Sequence, residues 1–175
     1  MPANPRHEHD VVDLLQAVVD TLPNVEARSG QVTMATAIAD AIENERHLIV
    51  QAGTGTGKTL GYLVPAIASG KRIVVSTYTK ALQDQLAKHD LPVLSSALAP
   101  IIGRDISWAV LKGRNNYLCA QRITEIREPK QHKLDLQEFS VQVKSDIDKL
   151  VAWSETTSTG DSGDLSWSPR DAAWR

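Results

Sequence analysis

The sequence predicts an α/β fold built on a parallel sheet, and three observations predict it. Short apolar runs recur as strand candidates: "HLIV" (His47–Val50), "RIVVS" (Arg72–Ser76) and "WAVL" (Trp108–Leu111). Stretches with helical spacing of apolar residues lie between and around them. A glycine-rich loop, "AGTGTGKT" (Ala52–Thr59), joins the first run to the helix after it. Strand, loop, helix, strand and helix in that order imply parallel strands joined by right-handed crossovers.

Bulk properties narrow the class. The 175 residues suffice for one domain with a buried core. Hydrophobic residues at 42% and charged residues at 23% are ordinary for a soluble globular protein. The formal net charge of −2 supplies no global basic field, so a nucleic-acid partner must be argued from local residues. No apolar run approaches the ~20 residues of a membrane span. The polar start "MPANPRHEHD" lacks a signal-peptide core, and a single cysteine, Cys119, forms no internal disulfide. The expected compartment is cytoplasmic.

Each element has a local reason. Val11, Leu14, Leu15, Val18, Val19 and Leu22 fall three and four apart, which predicts a helix from about Asp10 to Leu22, ended by Pro23. A second helix follows Gly30, with Met34, Ile38 and Ile42 on one face. Lys58–Ser69 reads as a third, kinked at Pro65 and closed by Gly70. Thr79–Lys88 is a further helical stretch. Leu136, Phe139, Val143, Ile147 and Leu150, in a stretch that starts at Leu134, again keep helical spacing. "SETTSTGDSGD" (Ser154–Asp164) is a loop or disordered segment by composition. No internal repeat is present.

The glycine-rich loop carries the chemistry. Ala52–Thr59 matches the Walker A pattern with Ala in place of the first Gly. Gly53, Gly55 and Gly57 permit a backbone that turns its N–H groups around phosphate oxygens, with Thr54 and Thr56 between them. The following helix points its N-terminus at the same anion. Lys58 would reach the β- and γ-phosphates, and the Thr59 hydroxyl would ligate Mg²⁺. The apolar strand before the loop and the helix after it are the context this reading requires.

A P-loop alone serves kinases, GTPases, transporters and motors, so the flanks must decide. Upstream, "ARSGQVTM" places Arg28, Gln31 and Met34 about one helix before the loop. A glutamine amide can donate to and accept from an adenine edge; a solvated helix start is the plain alternative. Downstream, hydroxyl residues Ser76, Thr77 and Thr79 precede a helix, where they can hold a nucleic-acid phosphate or simply cap the helix. Around Cys119, Arg104, Lys112, Arg114, Arg122, Arg127, Lys130 and Lys133 outnumber Asp105, Glu125 and Glu128. Tyr117 sits among them, and a basic surface with an aromatic suits strand tracking. The alternative is a solvated charged face with a core tyrosine.

Together, R-x-x-Q-x-x-M from Arg28, "AGTGTGKTLGYLVPAI", "STYTKALQDQL" and "LKGRNNYLC" resemble the start of an XPD-type, DinG-like iron–sulfur superfamily 2 DNA helicase. The resemblance runs from about Arg28 to Cys119. It implies a partial RecA-like P-loop domain with the start of an iron–sulfur insertion. The implied divisions are an N-terminal helical extension over 1–27, the first part of the ATP-binding domain over 28–112, and the insertion over 113–175. It implies that Gln31, supported by Arg28, reads adenine, and that Ala52–Thr59 binds ATP with Mg²⁺. Ser76, Thr77 and Thr79 fall where the family touches the DNA backbone, and Lys112, Arg114 and Tyr117 join them as DNA contacts. Cys119 becomes the first of four thiolate ligands of a [4Fe–4S] cluster. The implied activity is ATP-driven unwinding, 5′ to 3′ along single-stranded or forked DNA, in repair or replication, by a protein that is a monomer when complete.

The sequence also departs from the family. ATP hydrolysis needs a Walker B carboxylate, and "APIIGRD" (Ala99–Asp105), the nearest apolar run, lacks the acidic pair. A [4Fe–4S] cluster needs four thiolates, and the chain has one cysteine. The expectation is a truncated chain carrying the ATP-binding half-site only, inactive alone. Three of the four tryptophans, Trp153, Trp167 and Trp174, crowd its last part and are expected to lack packing partners. The competing reading is a stand-alone nucleotide-binding or regulatory module.

Overall fold

Asp10 opens the first helix of the molecule: its carboxylate accepts a hydrogen bond from Val12 N at 2.9 Å, satisfying a donor that the helix itself leaves unpaired. The computed structural model describes residues 10–23, 28–53, 55–128 and 139–174. Thr54, Lys130, Lys133, Leu134 and Leu136 therefore lie outside the described residues. The chain divides into two compact units, Met1–Val110 and Leu111–Arg175.

In the first unit, α1 (Val11–Asp20) buries Leu14, Leu15, Val18 and Val19, the face its spacing predicts. Helix α2 (Ser29–Glu43) packs on α3 (Lys58–Ala68). Helix α3 runs through Pro65 to Ala68 and closes at Gly70, which takes φ +65° and donates to Ile67 O at 3.2 Å. The Arg104 guanidinium donates to the same carbonyl. Helix α4 (Lys80–Gln85) starts at Thr79, whose hydroxyl accepts from Leu82 N at 3.2 Å. It passes through one π turn (Leu86–Asp90) into α5 (Leu91–Ile102). The helix expected over Thr79–Lys88 is thus the first part of a longer rod. The first four residues of "APIIGRD" end that rod, and its Gly103 closes the helix in the left-handed region. Leu14, Leu15, Val18, Ala35, Leu63, Val64, Leu86, Leu94 and Leu98 meet in one core.

The parallel sheet is an expectation that the described residues do not meet. None of residues 47–50, 72–76 and 108–111 enters a β ladder. Among the described residues the one strand-like pairing is an isolated antiparallel bridge between Tyr117 and Asp161. Ile49 is 96% exposed and Val74 90%, while Leu48, Val50, Ile73 and Val75 are only partly covered. The physical reason is that an apolar period sets one segment's extended habit, whereas a sheet needs a neighbour ~4.8 Å away to take its hydrogen bonds.

The second unit holds α6 (Ala120–Arg127), α7 (Val141–Trp153) and a short α8 (Asp171–Trp174). Ser140 caps α7, and Val143, Ile147 and Leu150 are buried as their spacing predicts. Ser154–Asp164, read by composition as loop or disorder, is an ordered loop. Its Thr157 hydroxyl accepts from Gly160 N at 2.9 Å, and the Asp161 carboxylate accepts from Gly163 N at 2.8 Å. Short polar side chains here replace the backbone partners that a helix or sheet would supply. Two of the three late tryptophans have partners. Trp174 Nε1 donates to Asn115 O at 2.7 Å, and the Lys149 ammonium lies 5.3 Å from the Trp167 ring centre.

Candidate functional site

The glycine-rich loop is built around two left-handed residues. Gly55 has φ +74° and Gly57 φ +72°, a region that costs a side-chain-bearing residue about 1–2 kcal/mol. Gly57 is also the residue from which α3 departs. The Lys58 ammonium folds back into the loop, donating to Ala52 O at 3.2 Å and to Gly53 O at 2.5 Å. The Thr56 hydroxyl donates to Gly53 O at 3.0 Å. A cation held over a glycine-rich turn at a helix N-terminus suits a polyphosphate, and Thr59 stands in the first turn of that helix. These residues fit ATP with Mg²⁺.

Both upstream residues close on the same loop. Arg28 donates from its guanidinium to Gly55 O. Gln31, 4% exposed, donates from Nε2 to Gly57 O at 2.9 Å. The structure therefore brings Arg28, Gln31, Ala52, Gly53, Gly55, Thr56, Gly57, Lys58 and Thr59 together. In this arrangement the Gln31 amide donor is engaged by the P-loop itself.

Two residues that the sequence reading did not single out stand behind the loop. Tyr62 stands one turn after Thr59 on α3, and its phenol feels the charge of Asp90. Burial raises its pKa, the Thr59 contact opposes that, and Asp90 adds to it. Burial likewise raises the Asp90 carboxyl, against the lowering effects of Gln85 and His89. Asp90 Oδ2 is buried and accepts no hydrogen bond. The three-residue step from Thr59 to Tyr62 on one helix was the legible part of this signal; the influence of Asp90, on a separate element, was not.

The expected nucleic-acid contacts are placed unevenly. Ser76 and Thr79 are exposed, and the Thr77 hydroxyl donates to Thr79 O at 3.4 Å. Thr79 caps α4, the plainer of its two readings. In the second unit, Lys112 is buried and pairs with the Asp161 carboxylate at 2.7 Å. The Tyr117 hydroxyl accepts from Lys112 N at 2.9 Å, and Arg114 is exposed. Arg127 is engaged with Glu155 at 2.9 Å. Much of the basic cluster thus holds the protein together.

Cys119 is exposed at the start of α6. It borders an apolar groove of about 400 Å³ lined by Ile123, Ile126, Ile147, Leu150 and Trp174. Among the described residues no three His, Cys, Asp or Glu side chains are grouped to hold a metal ion. The residues of this chain alone do not fit an iron–sulfur cluster, because one thiolate is a quarter of the ligand set.

Comparison with known proteins now bears on this geometry. The DEAD/DEAH box helicase family model matches residues 33–126. The chain is 41% identical to the ATP-dependent helicase DinG of Mycobacterium tuberculosis over 94% of its own length and 26% of that protein. It is 44% identical to the ATP-dependent DNA helicase YoaA of Escherichia coli, covering 80% of this chain and 20% of the relative. It is 33% identical to a Bacillus subtilis protein named 3′-5′ exonuclease DinG, over 86% of this chain and 15% of that protein. The chain spans about a quarter or less of each of these relatives. No described helix is long and apolar enough to cross a membrane.

Proposed function

Starting from the chain's membership of the DEAD/DEAH box helicase family, we propose that it is the ATP-binding part of a DinG-like, ATP-dependent DNA helicase. The observation that carries this is the P-loop turned by Gly55 and Gly57, with Lys58 inside it and Arg28 and Gln31 closed upon it. Lys58 would neutralise the β- and γ-phosphates, and Thr59 would hold Mg²⁺, which supplies charge neutralisation on the transferring phosphoryl group. Gln31, once its amide is shared with a base, would read adenine. The half-covered apolar runs 47–50, 72–76 and 108–111 support a RecA-like sheet that takes partner strands from residues beyond those described.

The DNA reading follows the same family. Ser76, Thr77 and Thr79 would touch the backbone of single-stranded or forked DNA, with Arg114 as an exposed cation nearby in sequence to Cys119. Lys112 and Tyr117 hold the loop that carries Arg114 rather than reaching out. Cys119 would be one of four thiolates of a [4Fe–4S] cluster whose other ligands lie outside this sequence. The direction is 5′ to 3′.

The test is strand separation by the full-length protein on forked DNA and on duplexes with a single 5′ or 3′ overhang. ATP-dependent unwinding from the 5′ overhang is expected. DNA-independent ATP turnover without unwinding defeats the helicase reading. Iron analysis of the anaerobically purified protein, beside Cys119→Ser, checks the cluster; an iron-free wild type that unwinds DNA removes it.

A further inference from the structure

The R-x-x-Q-x-x-M spacing meets the P-loop and its helix at three successive glycines. Arg28, Gln31 and Met34 recur every third residue at the start of α2, which keeps them on one side of it. The Arg28 guanidinium donates to Gly55 O, and Gln31 Nε2 donates to Gly57 O. Met34 Sδ stands 3.2 Å from the place that a Cβ on Gly61 would take, so α2 and α3 approach closely there. Arg28 is also anchored at its own backbone. It is the N-cap of α2, and its carbonyl accepts from Gln31 N at 2.9 Å and Val32 N at 3.1 Å. The guanidinium thus ties the start of α2 to the left-handed turn at Gly55.

That bond has a consequence one atom further on. The Gly55 carbonyl and the Thr56 N–H belong to one peptide unit, which is planar and trans, so the two groups point to opposite sides. A donor that holds Gly55 O on the Arg28 side therefore aims the Thr56 N–H away from Arg28. Donation to the carbonyl also polarises the unit and makes its N–H a stronger donor to an anion. The chemistry of the two upstream side chains differs as well. An adenine edge asks for a donor and an acceptor together; the Gln31 amide has both, whereas a guanidinium has donors only.

We propose that Arg28 is a positioning residue for the phosphate cradle: by holding Gly55 O it presents the Thr56 N–H to the diphosphate of the nucleotide, and it takes no part in choosing the base. This rests on the P-loop reading above. Base choice stays with Gln31, so the two residues of the motif divide the nucleotide between them.

The experiment measures binding to the full-length protein by displacement of a fluorescent ADP. The competitors are magnesium pyrophosphate, magnesium ADP and magnesium GDP. Wild type, Arg28→Met, Arg28→Lys and Lys58→Ala are compared. Arg28 is exposed, so its replacement leaves the core intact. Arg28→Met is expected to weaken pyrophosphate and ADP by the same factor, about fivefold or more, the lower end of ordinary coupling between sites. The ratio of ADP to GDP affinity should not move. Arg28→Lys, which keeps a cationic donor, should fall between Arg28→Met and wild type. In the nucleotide-free protein labelled with ¹⁵N-threonine, Arg28→Met should shift the Thr56 amide proton, because its peptide unit loses its donor. Unchanged pyrophosphate affinity in Arg28→Met overturns the proposal, as does a collapse of the ADP-to-GDP ratio. Weakened pyrophosphate with an unmoved Thr56 amide also overturns it, since Arg28 would then touch the phosphate directly. Affinity for magnesium ADP that survives Lys58→Ala sinks the P-loop reading instead, and that failure is read in a different variant.

Discussion

Gln31 and Gly57 are fitted to each other: the Gln31 amide donates to the Gly57 carbonyl at 2.9 Å, and a Cβ on residue 57 would collide with that same amide. Residue 57 must therefore be glycine for two reasons, its left-handed backbone and the side chain pressed against it. Gly57→Ala is expected to cost about 1–2 kcal/mol from backbone conformation, and more from the collision. Gln31→Ala in the same chain relieves only the second part. Thermal melts of the two single variants and the double should show a loss smaller than the sum. Strict additivity would mean that Gln31 is displaced without cost.

Lys58 is the cation of the loop, and its partners here are two carbonyls. Those bonds are exchanged for charged phosphate oxygens when nucleotide enters. Lys58→Ala should weaken ATP affinity by an order of magnitude or more, the worth of about 1.5–3 kcal/mol for a charge-assisted bond, and abolish turnover in the full-length protein. Titration with a fluorescent nucleotide and steady-state phosphate release check both. Near-wild-type turnover would remove the loop from the mechanism.

Lys112 and Asp161 tie "LKGRNNYLC" to the Thr- and Asp-rich loop at 2.7 Å, with both side chains largely buried. Removing one partner strands the other charge, so Lys112→Met is expected to cost about 3–5 kcal/mol. Adding Asp161→Leu should recover part of that. Chemical denaturation with cleavage mapping of residues 111–174 reads the outcome. A neutral Lys112→Met would show that the pair contributes nothing.

Asp146, in α7, accepts from Arg170 N at 3.1 Å and from the Arg170 guanidinium at 2.7 Å. The backbone bond, foremost, and the guanidinium hold its pKa below the ordinary carboxylate value. As pH falls, the unfolded chain therefore takes up this proton first. The stabilisation is complete above about pH 4 and is lost as pH drops through the lower folded value. Acid titration of tryptophan fluorescence should show this loss in wild type and a weaker pH dependence in Asp146→Asn. Identical acid curves would argue against the tie.

What the sequence determined by itself was whatever depends on near neighbours in the chain. The periodic Leu and Val of α1 and α7 named their own buried faces, and Gly57, Lys58 and Thr59 named a phosphate loop, because helix phase and turn geometry are local. Composition left Ser154–Asp164 open between loop and disorder, since polar residues that look disordering in isolation become hydrogen-bond partners once a loop is fixed. Tertiary structure alone decided the rest. It put Arg28 and Gln31 on the loop's carbonyls, and turned Lys112 inward onto Asp161. It also left 47–50, 72–76 and 108–111 outside any ladder among the described residues. A strand candidate and a buried charge have this in common: each is completed by a partner far along the chain, and local pattern carries no record of which partner that is.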